Sequence, residues 1–235
     1  MAQYGIVSVE RALDVLATFL SPTDSLGLSE LSRQTGVNKT TLLRICSSLE
    51  RRGYLRRDAQ ARYRLGPAPY SLGKRYEAEL HLDDVVIPQL RALTARVKES
   101  TSFHVRAASG RLCMYRVDAD QSVLDNVKTG DRYPMDRGAP GKVILAYEGG
   151  ATPDLVETRR IGYYISYGER DPQCAAVSAP VFKHGGDFCG ALSVSGPVDR
   201  FDARYVRRIL PEIIATAGRI SAALGAGEAG PGKKR

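Results

Sequence analysis

The sequence predicts a two-domain chain. An N-terminal winged helix-turn-helix, mostly α with a β wing, leads through a linker helix to a C-terminal α+β domain built on an antiparallel sheet. Three observations carry this. Apolar residues recur at helical spacing in three short segments before Gly53. Two basic, alternating segments follow directly, around a polar turn. From Thr101 the apolar period drops to two, in runs separated by helical stretches. The length of 235 residues accommodates two domains. The expected boundaries are 1–66 for the winged helix-turn-helix, 67–82 for the linker helix and 83–226 for the C-terminal domain. Residues 227–235, where Gly and Pro give way to charge, are expected to be a disordered tail.

The first helix is expected behind Ser8 as N-cap, with Val9, Ala12, Leu13, Leu16, Phe19 and Leu20 at helical spacing, stopping before Ser21-Pro22. A second amphipathic segment, Leu28 to Thr35, ends at Gly36-Val37, where glycine supplies a positive φ. Asn38 caps a third helix, Lys39 to Arg52, closed by Gly53. Its inward stripe is Leu42, Ile45, Cys46 and Leu49; its outer face shows Lys39, Thr40, Thr41, Arg44 and Ser48. Two helices around a glycine-containing turn, the second polar and basic near its start, form the helix-turn-helix pattern.

Tyr54 to Arg57 and Arg62 to Leu65 flank the polar turn Asp58 to Ala61 and read as a hairpin. A hairpin directly after a recognition helix is a wing, which carries Arg or Lys to phosphates or into a minor groove. The charge distribution agrees. The formal net charge is +8, and from Lys39 to Arg64 eight basic residues face only Glu50 and Asp58, a local excess of six. These features point to double-stranded DNA as a partner. Arg44 suits guanine and Thr40 a base edge, while Lys39, Arg56, Arg62 and Arg64 suit phosphates. A similar fold serving only protein contacts predicts a recognition face without this basic excess.

In the second half, a helical segment after Pro69 leaves the winged unit. Asp83-Asp84 start another helix, with Val86, Leu90, Leu93 and Val97 as its stripe and Pro88 in its first turn. Ser102 to Ala107 and Arg111 to Asp118 read as strands around Ser109-Gly110, and Val123 to Thr129 as a third strand. Val177 to Lys183 and Phe188 to Ser195 form a second hairpin, and Phe201 to Leu224 a long terminal helix kinked at Pro211. Pro140-Gly141-Lys142 opens a helix whose free N–H groups suit a carboxylate. Ser193 and Ser195 alternate on one strand, so their hydroxyls share a face.

The ordered motifs resemble the IclR family of bacterial transcriptional regulators. Ser8-Val9-Glu10-Arg11-Ala12-Leu13 is similar to its opening helix. Leu28-Ser29-Glu30-Leu31, Thr35-Gly36-Val37, Lys39-Thr40-Thr41 and Arg44 resemble its helix-turn-helix, and Tyr63-Arg64-Leu65-Gly66 the end of its wing. Ala139-Pro140-Gly141-Lys142, Gly162-Tyr163 with Glu169, Ser178-Ala179-Pro180-Val181 and Ala191-Leu192-Ser193-Val194-Ser195-Gly196-Pro197 continue the match. The resemblance implies a DNA-contacting set of Ser8, Arg11, Asn38, Lys39, Thr40, Thr41, Arg44, Arg56, Arg62, Tyr63 and Arg64. It also implies a GAF- or profilin-like effector domain, a homodimer or homotetramer on a palindromic operator, and control of catabolic genes by a small organic acid, with repression the commoner behaviour. Effector-binding residues on this basis are Gly141, Lys142, Ser166, Ala176, Ser193 and Ser195. Position 176 holds Ala where many relatives have Cys. Only 15 residues, 147–161, separate Ala146 from Gly162, a stretch usually longer in the family and here with room for one short helix. Tyr163, Tyr164 and Tyr167 near the expected pocket favour an aromatic or hydroxylated acid.

Other functions find little support. Cys46, Cys113, Cys174 and Cys189 lack C-x-x-C spacing and His81, His104 and His184 are scattered, so neither a metal site, a disulfide nor a cofactor is expected. Gly138 to Lys142 fails the phosphate-loop pattern, and no G-x-S-x-G elbow is present. The expectation is a non-enzyme. The alternatives are cysteine redox chemistry on a GAF-like domain and a ligand-independent DNA binder. No apolar run reaches the length of a membrane span and no signal peptide is evident, so no membrane contact and a cytoplasmic location are expected.

Overall fold

The computed structural model describes residues 5–20, 25–80 and 82–226. The expected helix stop at Ser21-Pro22 and the tail at 227–235 lie outside the described residues. The chain divides into two compact units, 1–80 and 81–235.

In the first unit, α1 (Val7–Ala17) runs into a short 3₁₀ turn at Thr18–Leu20, followed by α2 (Leu28–Thr35) and α3 (Lys39–Arg51). Ser8 is not the N-cap of α1. Ile6 holds that position without a side-chain bond, and Ser8 lies inside the first turn. The expected stripe of α1 is also only partly inward. Val15 and Phe19 are buried with Ala12 and Leu16 packed beside them, whereas Val9, Leu13 and Leu20 are exposed. Gly36 ends α2 in the left-handed region at φ 69°, and its N–H donates to Ser32 O. Asn38 caps α3, its Oδ1 accepting from Thr41 N at 2.9 Å. Leu42, Ile45 and Cys46 are buried against Leu31, Leu55 and Tyr63 in one core. The antiparallel strands β1 (Leu55–Arg57) and β2 (Tyr63–Leu65) form the wing hairpin, with Leu55 opposite Leu65. Asp58 Oδ1 accepts the N–H of Gln60 and of Arg62 and so shapes its turn. Helix α4 (Ala68–Leu80) completes the unit.

The second unit opens with α5 (Asp83–Val97). Pro88 is its sixth residue, in the second turn rather than the first, because the helix begins at Asp83 behind the cap residue Leu82. One six-stranded antiparallel sheet follows, in the order β5-β4-β3-β8-β7-β6. Its strands are β3 (Ser100–Ala107), β4 (Gly110–Val117), β5 (Arg132–Tyr133), β6 (Tyr164–Tyr167), β7 (Cys174–Phe182) and β8 (Phe188–Pro197). Between β5 and β6 lie α6 (Ala139–Tyr147) and α7 (Pro153–Ile161), and α8 (Ala203–Ala223) closes the unit behind its N-cap Asp202.

The pleat assigns the two faces of the sheet. Thr101 bonds to Thr94 and to the Leu90 carbonyl of α5, and α8 packs against both α5 and the sheet. On the opposite face Ala191 packs against Val143 and Ile144 of α6. The expected strand at Val123–Thr129 does not form. Its alternation arises because Asp125 and Val127 are buried while Val123 is exposed, and the segment is held by an ion pair from Asp125 to Arg116 at 2.5 Å instead of a ladder. The short 147–161 stretch forms one helix, α7, fastened to α6 by Lys142–Asp154 at 3.0 Å.

Candidate functional site

The first unit presents α3 and the wing. Lys39, Thr40 and Arg44 are exposed on α3, and Thr41 is half-buried. Lys39, Arg44 and Arg52 form no ion pair among the described residues. The wing is different. Arg62 donates to Ser25 Oγ at 2.9 Å, to Ser25 O at 3.0 Å and to Glu30 Oε2 at 2.7 Å. Glu30 also accepts the N–H of Gly27 at 2.6 Å, the first cause of its lowered pKa, with Arg62 adding to it. Arg62 therefore ties β2 to the start of α2. Arg64 pairs with Asp58 at 3.2 Å and Arg57 with Glu50 at 3.2 Å. Arg56 keeps one bond, to the Leu65 carbonyl at 3.3 Å. Tyr63 is a correction. At 2% exposure it is a core residue, with its hydroxyl taking a bond from Arg57 at 2.8 Å, and so has no face for DNA. Arg11 is exposed on α1.

In the second unit a cleft lies on the α6 face of the sheet. Cross-strand rows build its floor. Ser195 stands beside Ala176, which stands beside Ser166; Ser102 stands beside Ser193, which stands beside Ser178. Small polar residues in neighbouring rows leave a hollow that larger side chains would fill. The cleft opens to solvent, and its empty space, solvent side included, is about 390 Å³. Ser166, Ala176, Ser193 and Ser195 all line it.

Gly141 and Lys142 do not line the cleft, and the expected open N–H groups of their helix are already taken. Gly138 N donates to Glu169 Oε2 at 3.0 Å, Ala139 N to Ser166 Oγ at 3.0 Å, and Gly141 N and Lys142 N to Gly138 O. A protein carboxylate thus occupies the positive helix end, and Lys142 turns away to Asp154. The cleft's cations come from residues that the sequence did not single out. Arg111 is the second residue of β4 and Arg170 follows β6, and both line the cleft with His104 and Asp125. Arg111 Nη1 donates to the carbonyls of Pro134 and Arg137, while its Nε has no partner among the described residues. Burial and the nearby Arg170 push its pKa down to about 10, so it stays charged at neutral pH. His104 is buried, and its Nε2 lies 2.9 Å from Ser102 Oγ. Burial first, then Arg111, Arg116 and Arg170, hold its pKa well below the usual value, so it is neutral. The buried Ser195 Oγ and His104 Nδ1 are unpartnered among the described residues. An anion-accepting signal was present in the sequence only as isolated arginines; pairing Arg111 with Arg170 required the fold.

The thiols do not suit catalysis. Burial raises the pKa of Cys46, Cys174 and Cys189 and pushes Cys113 up to about 12, away from the reactive thiolate. Among the described residues no group of three or more His, Cys, Asp or Glu is placed to hold a metal ion, and no helix is long and apolar enough to cross a membrane.

Comparison with known proteins places these two units together. The model of the IclR helix-turn-helix domain matches residues 8–59, and the model of the bacterial transcriptional regulator IclR C-terminal domain matches residues 151–222, together more than half of the chain. The HTH-type transcriptional regulator KipR of Bacillus subtilis is 28% identical over 229 residues, covering 87% of this chain and 90% of the relative. The transcriptional repressor IclR of Escherichia coli is 22% identical, covering 94% of this chain and 90% of the relative. The crystal structure of an IclR homologue from Microbacterium hydrocarbonoxydans, complexed with 4-hydroxybenzoate, superposes with a TM-score of 0.79 at 23% identity, covering 94% of this chain and all of that one. A helix-turn-helix with an exposed basic recognition helix, joined to a six-stranded α+β domain and matched by both family models, makes this chain a DNA-binding transcriptional regulator of the IclR family.

Proposed function

We propose that the chain is a homodimeric, cytoplasmic repressor of catabolic genes whose affinity for a palindromic operator is set by a small carboxylate bound in the cleft of the second unit. The observation that carries the effector half is the pair of inward guanidiniums, Arg111 and Arg170, over a floor of serines with Ser195 Oγ unpartnered among the described residues. Two inward cations sharing a cleft with one carboxylate, Asp125, that is already bonded to Arg116, leave positive charge that an anion would meet. The 4-hydroxybenzoate complex of the Microbacterium homologue supports an acid of this size, and the Escherichia coli relative supports repression.

On DNA, α3 enters the major groove, with Thr40 and Arg44 reading bases and Lys39 and Arg56 on phosphates. Arg62 and Arg64 reach phosphates only by loosening their pairs with Glu30 and Asp58. Val9 and Leu13 on the outer side of α1, with Ile6 before it and Leu20 after it, are apolar, exposed and spaced for a second copy. A dimer sets its two recognition helices about 34 Å apart on successive grooves. Ligand control requires that the carboxylate bind the free and DNA-bound geometries with different affinity.

A thermal-shift screen of the full chain against aromatic and aliphatic carboxylates tests the effector reading. A ligand at 100 times its Kd adds about 2.7 kcal/mol of stability. A flat screen on folded, DNA-competent protein contradicts it.

A further inference from the structure

We infer, resting on the reading of the cleft as the effector site, that its ligand is a small dianion, a dicarboxylate or a phosphate monoester, with one anionic group against Arg111 and the other against Arg170. The charge inventory of the cleft leads there. Two guanidiniums line it, from Arg111 and Arg170, and a third, Arg116, is bonded to the lining carboxylate of Asp125. One deeply buried carboxylate, Asp125, stands among them at 1% side-chain exposure. It is committed to Arg116, with Oδ1 at 2.5 Å, and its Oδ2 is 3.9 Å from Arg170, beyond hydrogen-bond reach.

The other neighbouring acids have partners, Asp171 accepting from Gln173 N at 3.0 Å. Glu169 accepts from Gly138 N and from Tyr164 Oη. Asp118 takes Arg116 Nε from a mostly exposed position. Asp131 accepts from Tyr133 Oη, and Asp136 is exposed beside Arg137. Arg170 meets the neutral amide of Asn126 at 2.7 Å, and Arg111 meets only backbone carbonyls. Among the described residues both thus have dipoles as their hydrogen-bond partners, and the carboxylate that approaches Arg170, Asp125, does so through an oxygen at 3.9 Å.

The two cations are also neighbours. The guanidinium carbons of Arg111 and Arg170 lie 5.5 and 5.3 Å from the centre of the same ring, Tyr133. Their mutual repulsion is visible in the lowered pKa of Arg111, to which Arg170 contributes. A monoanion bonds one guanidinium and leaves the other without a hydrogen-bonded counter-charge, with Asp125 at 3.9 Å from Arg170 and already bonded to Arg116. A dianion relieves both, and the planar fork of each Arg matches a carboxylate or phosphate edge. Ser195 Oγ, and the proton of Ser166 Oγ, whose lone pair takes Ala139 N–H, are placed for the remaining oxygens.

Calorimetric titration of the full chain with matched pairs tests this: benzoate against terephthalate, butyrate against succinate, with phenyl phosphate as the ester. At least one dianion is expected to bind roughly tenfold or more tightly than its monoanionic match, the scale of one charge-assisted bond. Arg170→Gln is expected to bring that pair within about threefold, mainly by weakening the dianion. Phenyl phosphate leading identifies the ester and terephthalate or succinate leading the dicarboxylate, both in support. Equal binding of both members of each pair in the wild type overturns the inference alone, whether or not the variant folds. A preference unchanged in folded Arg170→Gln also overturns it. No binding by any of the five compounds overturns both the inference and the effector reading.

Discussion

Arg44 stands on the exposed side of α3, six residues from its Asn38 cap, and holds no ion pair among the described residues. A cation left unpaired on a recognition helix is available to a base edge. Arg44→Ala is therefore expected to cost roughly 1–3 kcal/mol at one operator base pair and to relax specificity there, as measured by competition with single-substitution duplexes. Unchanged discrimination at every position contradicts the role. His104 offers a second residue-level test. Its imidazole is buried and held neutral, whereas the unfolded chain takes up a proton near the ordinary pKa of about 6.5. Below that pH the unfolded state binds more protons, so stability falls as pH drops through 6.5, by up to about 1.4 kcal/mol per unit until the folded pKa is reached. Urea denaturation of His104→Gln between pH 6.5 and 5 should show that slope flattened; an unaltered slope contradicts it. The residue identities behind these tests differ in legibility. Arg44 followed from helix period and cap alone. His104 looked like one scattered histidine, because only the register of β3 beside β4 and β8 sets it among arginines.

At the scale of elements, the helices and hairpins with local signals were readable. Asn38 and Gly36 mark the two ends of the turn before α3, and the hairpin of β7 and β8 follows from alternation across Gly185-Gly186. Elements failed where a pattern had two physical explanations. Helix α1 has a broad apolar face opposite Ser8, Glu10, Arg11 and Asp14, so its sequence does not say which part of that face meets the domain core. Val15 and Phe19 do; Val9 and Leu13 do not. The alternation at Val123–Thr129 mimicked a strand but records an ion pair drawing Asp125 inward. Strand β6 was missed because four residues, Tyr164 to Tyr167, give too short a run to show a period. The outward stripe of α1 carries its own prediction. Leu13→Glu, at a position 59% exposed, is expected to leave the fold and circular dichroism intact while shifting sedimentation from dimer to monomer at micromolar concentration. A dimer as tight as the wild type's contradicts the assignment of that face.

At the scale of the whole molecule, the division of labour is written in charge. The first unit carries its unpaired cations outward on α3, where they meet a polyanion. The second carries Arg111 and Arg170 inward, where the proposed effector is a small anion. The overall architecture was legible from period changes along the chain, but the inward pair was not, since its members lie 59 positions apart in the sequence and several strands had to assemble between them. Coupling of the two activities is a free energy, typically 1–3 kcal/mol, and it is reciprocal. The most direct measurement is fluorescence anisotropy of an operator duplex, selected by the full chain from a random pool, with and without a saturating carboxylate that raises thermal stability. The expected result is a shift of at least about fivefold in operator Kd, absent in a scrambled duplex. An operator Kd that no stabilising carboxylate moves would contradict ligand control of DNA binding.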